Sequence, residues 1–254
     1  MVRTKVLNNA YNLNPSSFVN ILHALILLAY DVKTLSNYLD WIGVMCYDMH
    51  GSWERETGHI APLYYDPRDR KEHLNANYSI HHWIKRGADP KKIIMGVPTY
   101  GRTWTLETDK NFGLYAPARG PGIAGTYTRE KGFLAYYEIC EKKWSGHIQN
   151  KQGVMGPFAY NDYQWVSYDD ENMMKIKGNY IKALGLGGAM VWALDLDDHK
   201  NACHRGRYPL LTALNKSLRG SNSERIENSS DGDYNYDKLK KPTNYFKYFN
   251  PYMY

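Results

Sequence analysis

The stretch Leu39–Glu54, LDWIGVMCYDMHGSWE, decides the fold. It opens on an apolar run, Trp41-Ile42-Gly43-Val44-Met45-Cys46, with no polar alternation. Such a run predicts a strand buried on both faces, as in a parallel sheet covered by helices. Tyr47-Asp48 follows at its carboxyl end, and the chain then turns polar through His50, Gly51, Ser52 and Trp53. Enzymes with parallel α/β sheets place their chemistry at that end of the strands. Taken alone, the pair reads equally as a strand end with a loop-capping Asp.

Working outward, the same strand–helix grammar recurs. Asp31–Tyr38 predicts a short helix leading into the first strand, and Ala76–Arg86 a second, closed by Gly87. Lys92–Tyr100 (KIIMGVPTY) is a second buried-type strand, ending in Tyr100-Gly101-Arg102. From Trp104 to about Ser167 the βα order is interrupted by short strand-like pieces, a Gly/Pro-rich stretch and a predicted helix over Lys131–Lys143. Asp169-Asp170-Glu171 then supplies a cap and helix-dipole acids for a helix that ends at Gly185. Leu186–Leu194 (LGGAMVWAL) is a third buried-type strand, followed by the acidic turn Asp195-Leu196-Asp197-Asp198 and a last helix over Tyr208–Leu218.

Composition narrows the function classes. The 254 residues are 43% hydrophobic and 23% charged, ordinary for a globular chain. The net charge of +6 is spread out rather than gathered into a basic stripe, which argues against nucleic acid as a partner. No phosphate loop, dinucleotide fingerprint or HExxH motif occurs, so no cofactor or metal is expected. The 23 Tyr and 7 Trp suit sugar stacking or a packed core. Of three cysteines, Cys46 reads as an inert core thiol, while Cys140 and Cys203 flank the inserted and terminal segments and could pair in an oxidising compartment. Sequons at Asn77, Asn215 and Asn228 agree with secretion. Residues 1–28 stay unassigned: Phe18–Tyr30 is too short and too polar for a membrane span, and reads as a signal segment, a buried element or an errant start of the coding region. Residues 219–254 read as a polar, Tyr- and Asn-rich tail expected to be disordered.

Several motifs converge on one family. MCYDMHGSWE, GVPTYGR and GGAMVWALDLDD occur in that order, with LAYYEIC, QWVSYDD and GRYPLL between and after them. From about Tyr30 to Leu218 the chain resembles the carboxyl-terminal part of a family 18 glycoside hydrolase, an animal-type chitinase. The resemblance implies a partial (β/α)8 TIM barrel over residues 29–218, about strands 6–8, with an α+β insertion domain at about 103–168. It implies chitin or chito-oligosaccharides as partner, a secreted location, a monomer when complete, and no membrane span. Family 18 uses substrate-assisted retention, in which the substrate's N-acetyl carbonyl attacks the anomeric carbon. On that pattern Tyr47 supports the oxazolinium-like intermediate and Asp48 bonds sugar hydroxyls. Trp192 is the stacking floor with Met45 and Met190 as walls, Tyr100 and Arg102 line the cleft, and Trp53 is a platform. A plain core tryptophan is the alternative for Trp192. The resemblance also implies a Cys140–Cys203 disulfide.

The family's proton donor ends a DxxDxDxE motif, and this sequence contains none. The chain is therefore expected to be inactive alone, poorly soluble with its barrel open, and a fragment or truncated gene model of a longer chitinase. A non-hydrolytic chitin-binding lectin of the same fold is the second reading. A degraded copy is the third. Joint retention of Tyr47, Asp48 and Trp192 favours an active parent.

Overall fold

The computed structural model describes residues 30–149 and 153–219. The readings for residues 1–28 and for the tail beyond Arg219 lie outside the described residues. Helix α1 (Val32–Tyr38) starts where Asp31 accepts the Thr34 N–H at 3.1 Å, and β1 (Ile42–Val44) follows. Helix α2 (Ala76–Lys85) is capped by Asn75, which accepts the Tyr78 N–H at 2.8 Å, and it ends before Gly87 at φ +99°. After a 3-10 turn at Pro90–Lys92 comes β2 (Ile93–Pro98).

Only Thr99 separates β2 from β3 (Tyr100–Leu106), which opens an antiparallel module. Its further elements are β4 (Ala118–Pro121), β5 (Phe133–Ala135), α3 (Tyr136–Glu141), β6 (Gly146–Ile148), β7 (Phe158–Asn161) and β8 (Gln164–Ser167). The sheet runs β4-β3-β8-β7-β6, with β5 also paired to β3. Its small core centres on Trp104 and Trp165, edge to face at 5.2 Å, with Phe158 stacked on Trp165. The expected helix over Lys131–Lys143 is cut down to six residues. Its first part is drawn into β5, because Phe133, Leu134 and Ala135 pair with Arg102, Gly101 and Tyr100. Long-range pairing overrides local helix preference there.

The βα order then resumes with α4 (Glu171–Ala183), β9 (Gly188–Trp192) and α5 (Pro209–Arg219). Asp170 is the cap, accepting the Met173 N–H at 2.8 Å. Its neighbour Asp169 turns inward and forms a fully buried ion pair with Lys177, whose Nζ also donates to Ala61 O at 2.8 Å. Strands β1, β2 and β9 form one parallel sheet in the order β1-β2-β9. The α/β class expected from the sequence holds.

Register decides which side chains face the helices. Ile42 and Val44 pair beside Ile93 and Met95, and Val97 beside Val191. With Cys46, these pack on Trp83 and Ile80 of α2, on Met173, Met174 and Ile181 of α4, and on Leu210 and Leu214 of α5. The opposite face carries Trp41, Gly43 and Met45 from β1 and its flanks, Gly96 and Pro98 from β2, and Met190 and Trp192 from β9. The expectation of strands buried on both faces holds for β2 apart from half-buried Ile94, and is corrected at β1 and β9: Trp41 is 60%, Met45 56% and Trp192 55% exposed. Tyr47 packs over Gly96 of β2, so the open part of that face lies on β1 and β9.

Candidate functional site

The open face ends at the carboxyl tips of β1, β2 and β9, and Tyr47, Asp48, Trp53, Tyr100, Arg102 and Met190 gather there. Gly96 makes the floor. A Cβ at that position would come within 2.8 Å of the Tyr47 ring, 2.9 Å of Val44 O and 3.1 Å of the Met190 methyl. Tyr47 and Met190 therefore lie directly over the glycine. Their cluster also contains Ile60, Ala61 and Tyr100. The Tyr47 ring meets Tyr100 edge-on at 6.2 Å, and Tyr100 stacks on Phe133 at 4.7 Å.

Asp48 turns the chain with φ +55°, a conformation that Asp tolerates better than most residues. Its carboxylate receives Arg102 in a two-pronged bond, Nε to Oδ1 at 2.8 Å and Nη2 to Oδ2 at 3.0 Å. The guanidinium is boxed by Trp53, Tyr100 and Phe133, each ring centroid 5.4–5.6 Å away. Burial, and after it the Asp48 charge, pushes both tyrosine hydroxyls far above their ordinary range. Both stay neutral donors at any physiological pH. Tyr47 Oη and Trp53 Nε1 are closed off from solvent and have no hydrogen-bond partner among the described residues. Each such orphan donor costs about 1–3 kcal/mol, which makes the site an expensive one to build.

Met45 and Trp192 stand apart from this cluster, exposed on the same face. Thr99 anchors the tip of β9, donating its N–H to Trp192 O at 3.0 Å and its hydroxyl to Ala193 O at 2.6 Å.

The loop that carries Trp53 is pinned by charge. His50 donates Nδ1–H to Glu54 at 2.8 Å and Nε2–H to Asp69 at 2.9 Å, and Lys71 closes on the other Glu54 oxygen. Burial works against the imidazolium, but the hydrogen bonds to Asp69 and then Glu54 outweigh it and raise its pKa to about 9. The sequence reading passed over this clamp, over Phe133 and over Gly96. Gly96 had a signal, since it opens the GVPTYGR motif, whereas the His50 and Phe133 partnerships span distances in sequence that no local pattern records.

Asp197 and Asp198 of the acidic turn after β9 are structural. Asp197 accepts the Asp198 N–H and, at 3.0 Å, the Leu211 N–H in the first turn of α5. Asp198 accepts the N–H groups of Ala202 and Cys203, both at 2.8 Å. Cys203 is disulfide-bonded to Cys140 of α3, as the resemblance implies, and Cys46 is buried, its thiol pushed up to about 12 by desolvation. Among the described residues no group of three or more His, Cys, Asp or Glu is placed to hold a metal ion, and no helix is long and apolar enough to cross a membrane.

Comparison with known proteins bears on this geometry. The chain is 51% identical over 194 residues to probable chitinase 10 of Drosophila melanogaster, covering 75% of this chain and 8% of that protein. Catalytic domain 2 of the Ostrinia furnacalis Group II chitinase superposes with a TM-score of 0.75 at 45% identity, covering 77% of this chain and 52% of that one. Human YKL-39, described as a pseudo-chitinase with retained chitooligosaccharide binding properties, superposes at 0.74 and 40% identity, covering 78% and 56%. The chain thus spans little more than half of the solved domains it matches and a smaller part of the longer relative. At these identities the fold is shared, which makes β1, β2 and β9 an arc of a (β/α)8 barrel rather than a free-standing sheet. Residues 10–197 match the model of the glycosyl hydrolases family 18, and the chain belongs to that family.

Proposed function

We propose that the open face at the tips of β1, β2 and β9 binds β-1,4-linked N-acetylglucosamine oligomers as part of a family 18 chitinase domain. The observation that carries this reading is the pairing of an exposed, flat Trp192 with the Asp48–Arg102 fork and the unpartnered Tyr47 hydroxyl. A neutral sugar ring offers C–H faces to an aromatic and hydroxyls to a carboxylate. Asp48 uses one lone pair of each oxygen on Arg102, which leaves acceptor sites for sugar hydroxyls. The Tyr47 hydroxyl is a neutral donor suited to the acetamido oxygen. Met45 and Met190 supply apolar walls, Trp53 a further platform, and Tyr100 and Arg102 the side of the cleft. In the complete enzyme these groups position the substrate for retaining, substrate-assisted hydrolysis in a secreted protein.

This sequence contains no DxxDxDxE acid. General acid catalysis contributes about 10²- to 10⁴-fold, so the residues present bind sugar without driving turnover. The pseudo-chitinase YKL-39, described as retaining chitooligosaccharide binding, favours as second reading a non-hydrolytic lectin of the same fold. The test is retention of the full chain on chitin beads, with cellulose beads as control, alongside release of a fluorogenic chitobioside. Chitin-specific retention without release is the expected result; equal passage through both columns would sink the assignment.

A further inference from the structure

Near the carboxyl tip of β9 lies a group of side chains that the site above leaves unused. Tyr127, in the loop before β5, is 58% exposed. Its ring meets Tyr137 of α3 edge-on at 5.7 Å, and Tyr137 meets His199 at 5.6 Å. Asp195 lies just after β9, in the 3-10 turn Leu194–Leu196. Partial burial, then the charges of Glu138 and Asp195, raises the Tyr137 hydroxyl above its ordinary range. The group begins at the tip of β9. Thr99 bonds Trp192 O and Ala193 O, and its own carbonyl accepts the Tyr136 N–H at 3.2 Å, so the start of α3 sits against the residue after Trp192.

Two distant segments build this group and are tied together. The Tyr127 loop is fastened to α3 by Glu138, which accepts the N–H groups of Tyr127 and Thr128 and the Thr128 hydroxyl. Helix α3 is fastened to the segment after β9 by the Cys140–Cys203 disulfide. Two phenols and a carboxylate with no cation among them make the surface chemistry of a sugar platform. Tyrosine offers a flat, amphipathic face with little side-chain entropy to lose, and a carboxylate accepts hydroxyl protons.

We propose that Tyr127, Tyr137 and Asp195 form an outlying subsite for the further units of a chito-oligosaccharide whose inner units lie on Trp192. This rests on the sugar-binding reading of the Trp192 face. Short oligomers fill that face alone; longer ones reach the group.

The test is calorimetric titration of the full chain with two-unit and six-unit chito-oligosaccharides, for wild type, Tyr127→Ala and Tyr127→Trp. The wild type is expected to prefer the six-unit ligand. Tyr127→Ala should weaken it by about fivefold, the worth of one aromatic contact, and leave the two-unit ligand unchanged. Tyr127→Trp should restore six-unit binding. Equal loss at both lengths, no loss at either, or a change in oligomeric state alone overturns the subsite. Wild-type binding that is the same for both ligands overturns the subsite and leaves the Trp192 face standing, whereas no wild-type binding at all overturns both.

Discussion

Arg102 of β3 holds Asp48, in the segment after β1, with both prongs of its guanidinium, at 2.8 and 3.0 Å, although the two residues are 54 positions apart. The bond joins the tip of the parallel arc to the first strand of the antiparallel module. Charge-assisted bonds of this geometry are the strong ones, and lysine cannot reproduce the fork. Arg102→Lys is expected to weaken chito-oligosaccharide binding about tenfold with an unfolding midpoint close to wild type. Arg102→Ala should in addition cost about 1–3 kcal/mol of stability, read by urea titration.

Two buried histidines set opposite slopes on stability against pH. The folded chain keeps the His50 proton up to about pH 9, where an unfolded chain would release it near 6.5. Stabilisation by the Glu54–His50–Asp69 clamp is therefore complete below about pH 6.5 and drains away as pH rises through 9. His59 is the reverse case. Burial, and then the Lys177 charge, holds it down to about 3, with Nε2 donating to Tyr168 O and Nδ1 accepting the Ala61 N–H. Its contribution is complete above about pH 6.5 and is lost as pH falls toward 3. Urea midpoints measured from pH 4 to 10 should rise and then fall, with the maximum near pH 6.5. Replacing His50 with Gln should flatten the alkaline limb and leave the acid limb standing.

Gly96→Ala places a methyl into the Tyr47 ring, Val44 O and the Met190 methyl at once. Overpacking of this kind costs about 1–3 kcal/mol. Because Tyr47 and Met190 must shift, ligand affinity should fall as well as melting temperature. Gly113→Ala, where an added Cβ meets nothing within 4 Å, is the matched control. It should leave ligand affinity unchanged.

Removal of the Cys140–Cys203 bond by a double Ser substitution should lower stability by about 2–4 kcal/mol, the typical value for a native disulfide. Wild type in reducing agent should match the double variant in a denaturant titration. A midpoint insensitive to reductant would contradict this.

How much of this was legible beforehand can be argued residue by residue. The order of parallel strands, the cap within Asp169-Asp170-Glu171 and the stop at Gly87 were readable because apolar runs and capping chemistry are local. The openness of Trp41, Met45 and Trp192 was not, since a hydrophobic run records affinity for a core without saying whether a core is supplied on each side. The helix expected over Lys131–Lys143 is shortened to Tyr136–Glu141 because the partner that draws its first part into β5 lies on β3, some 30 positions earlier. Tyr47, Asp48, Arg102 and Trp192 were named through the family resemblance, and the structure places the first three in one cluster with Trp192 exposed on the same face. His50 was passed over because a histidine reveals its role only through Glu54 and Asp69 together.

Thr99 is the whole length of chain between a barrel strand and the module that follows it. Its N–H, hydroxyl and carbonyl are all committed, to Trp192, Ala193 and Tyr136. A joint of one residue with every polar group spoken for has no slack to rotate about. The module is thus mounted as a bracket rather than hung as a lid, and a sugar pressing on Arg102 or Phe133 would load the barrel strand directly.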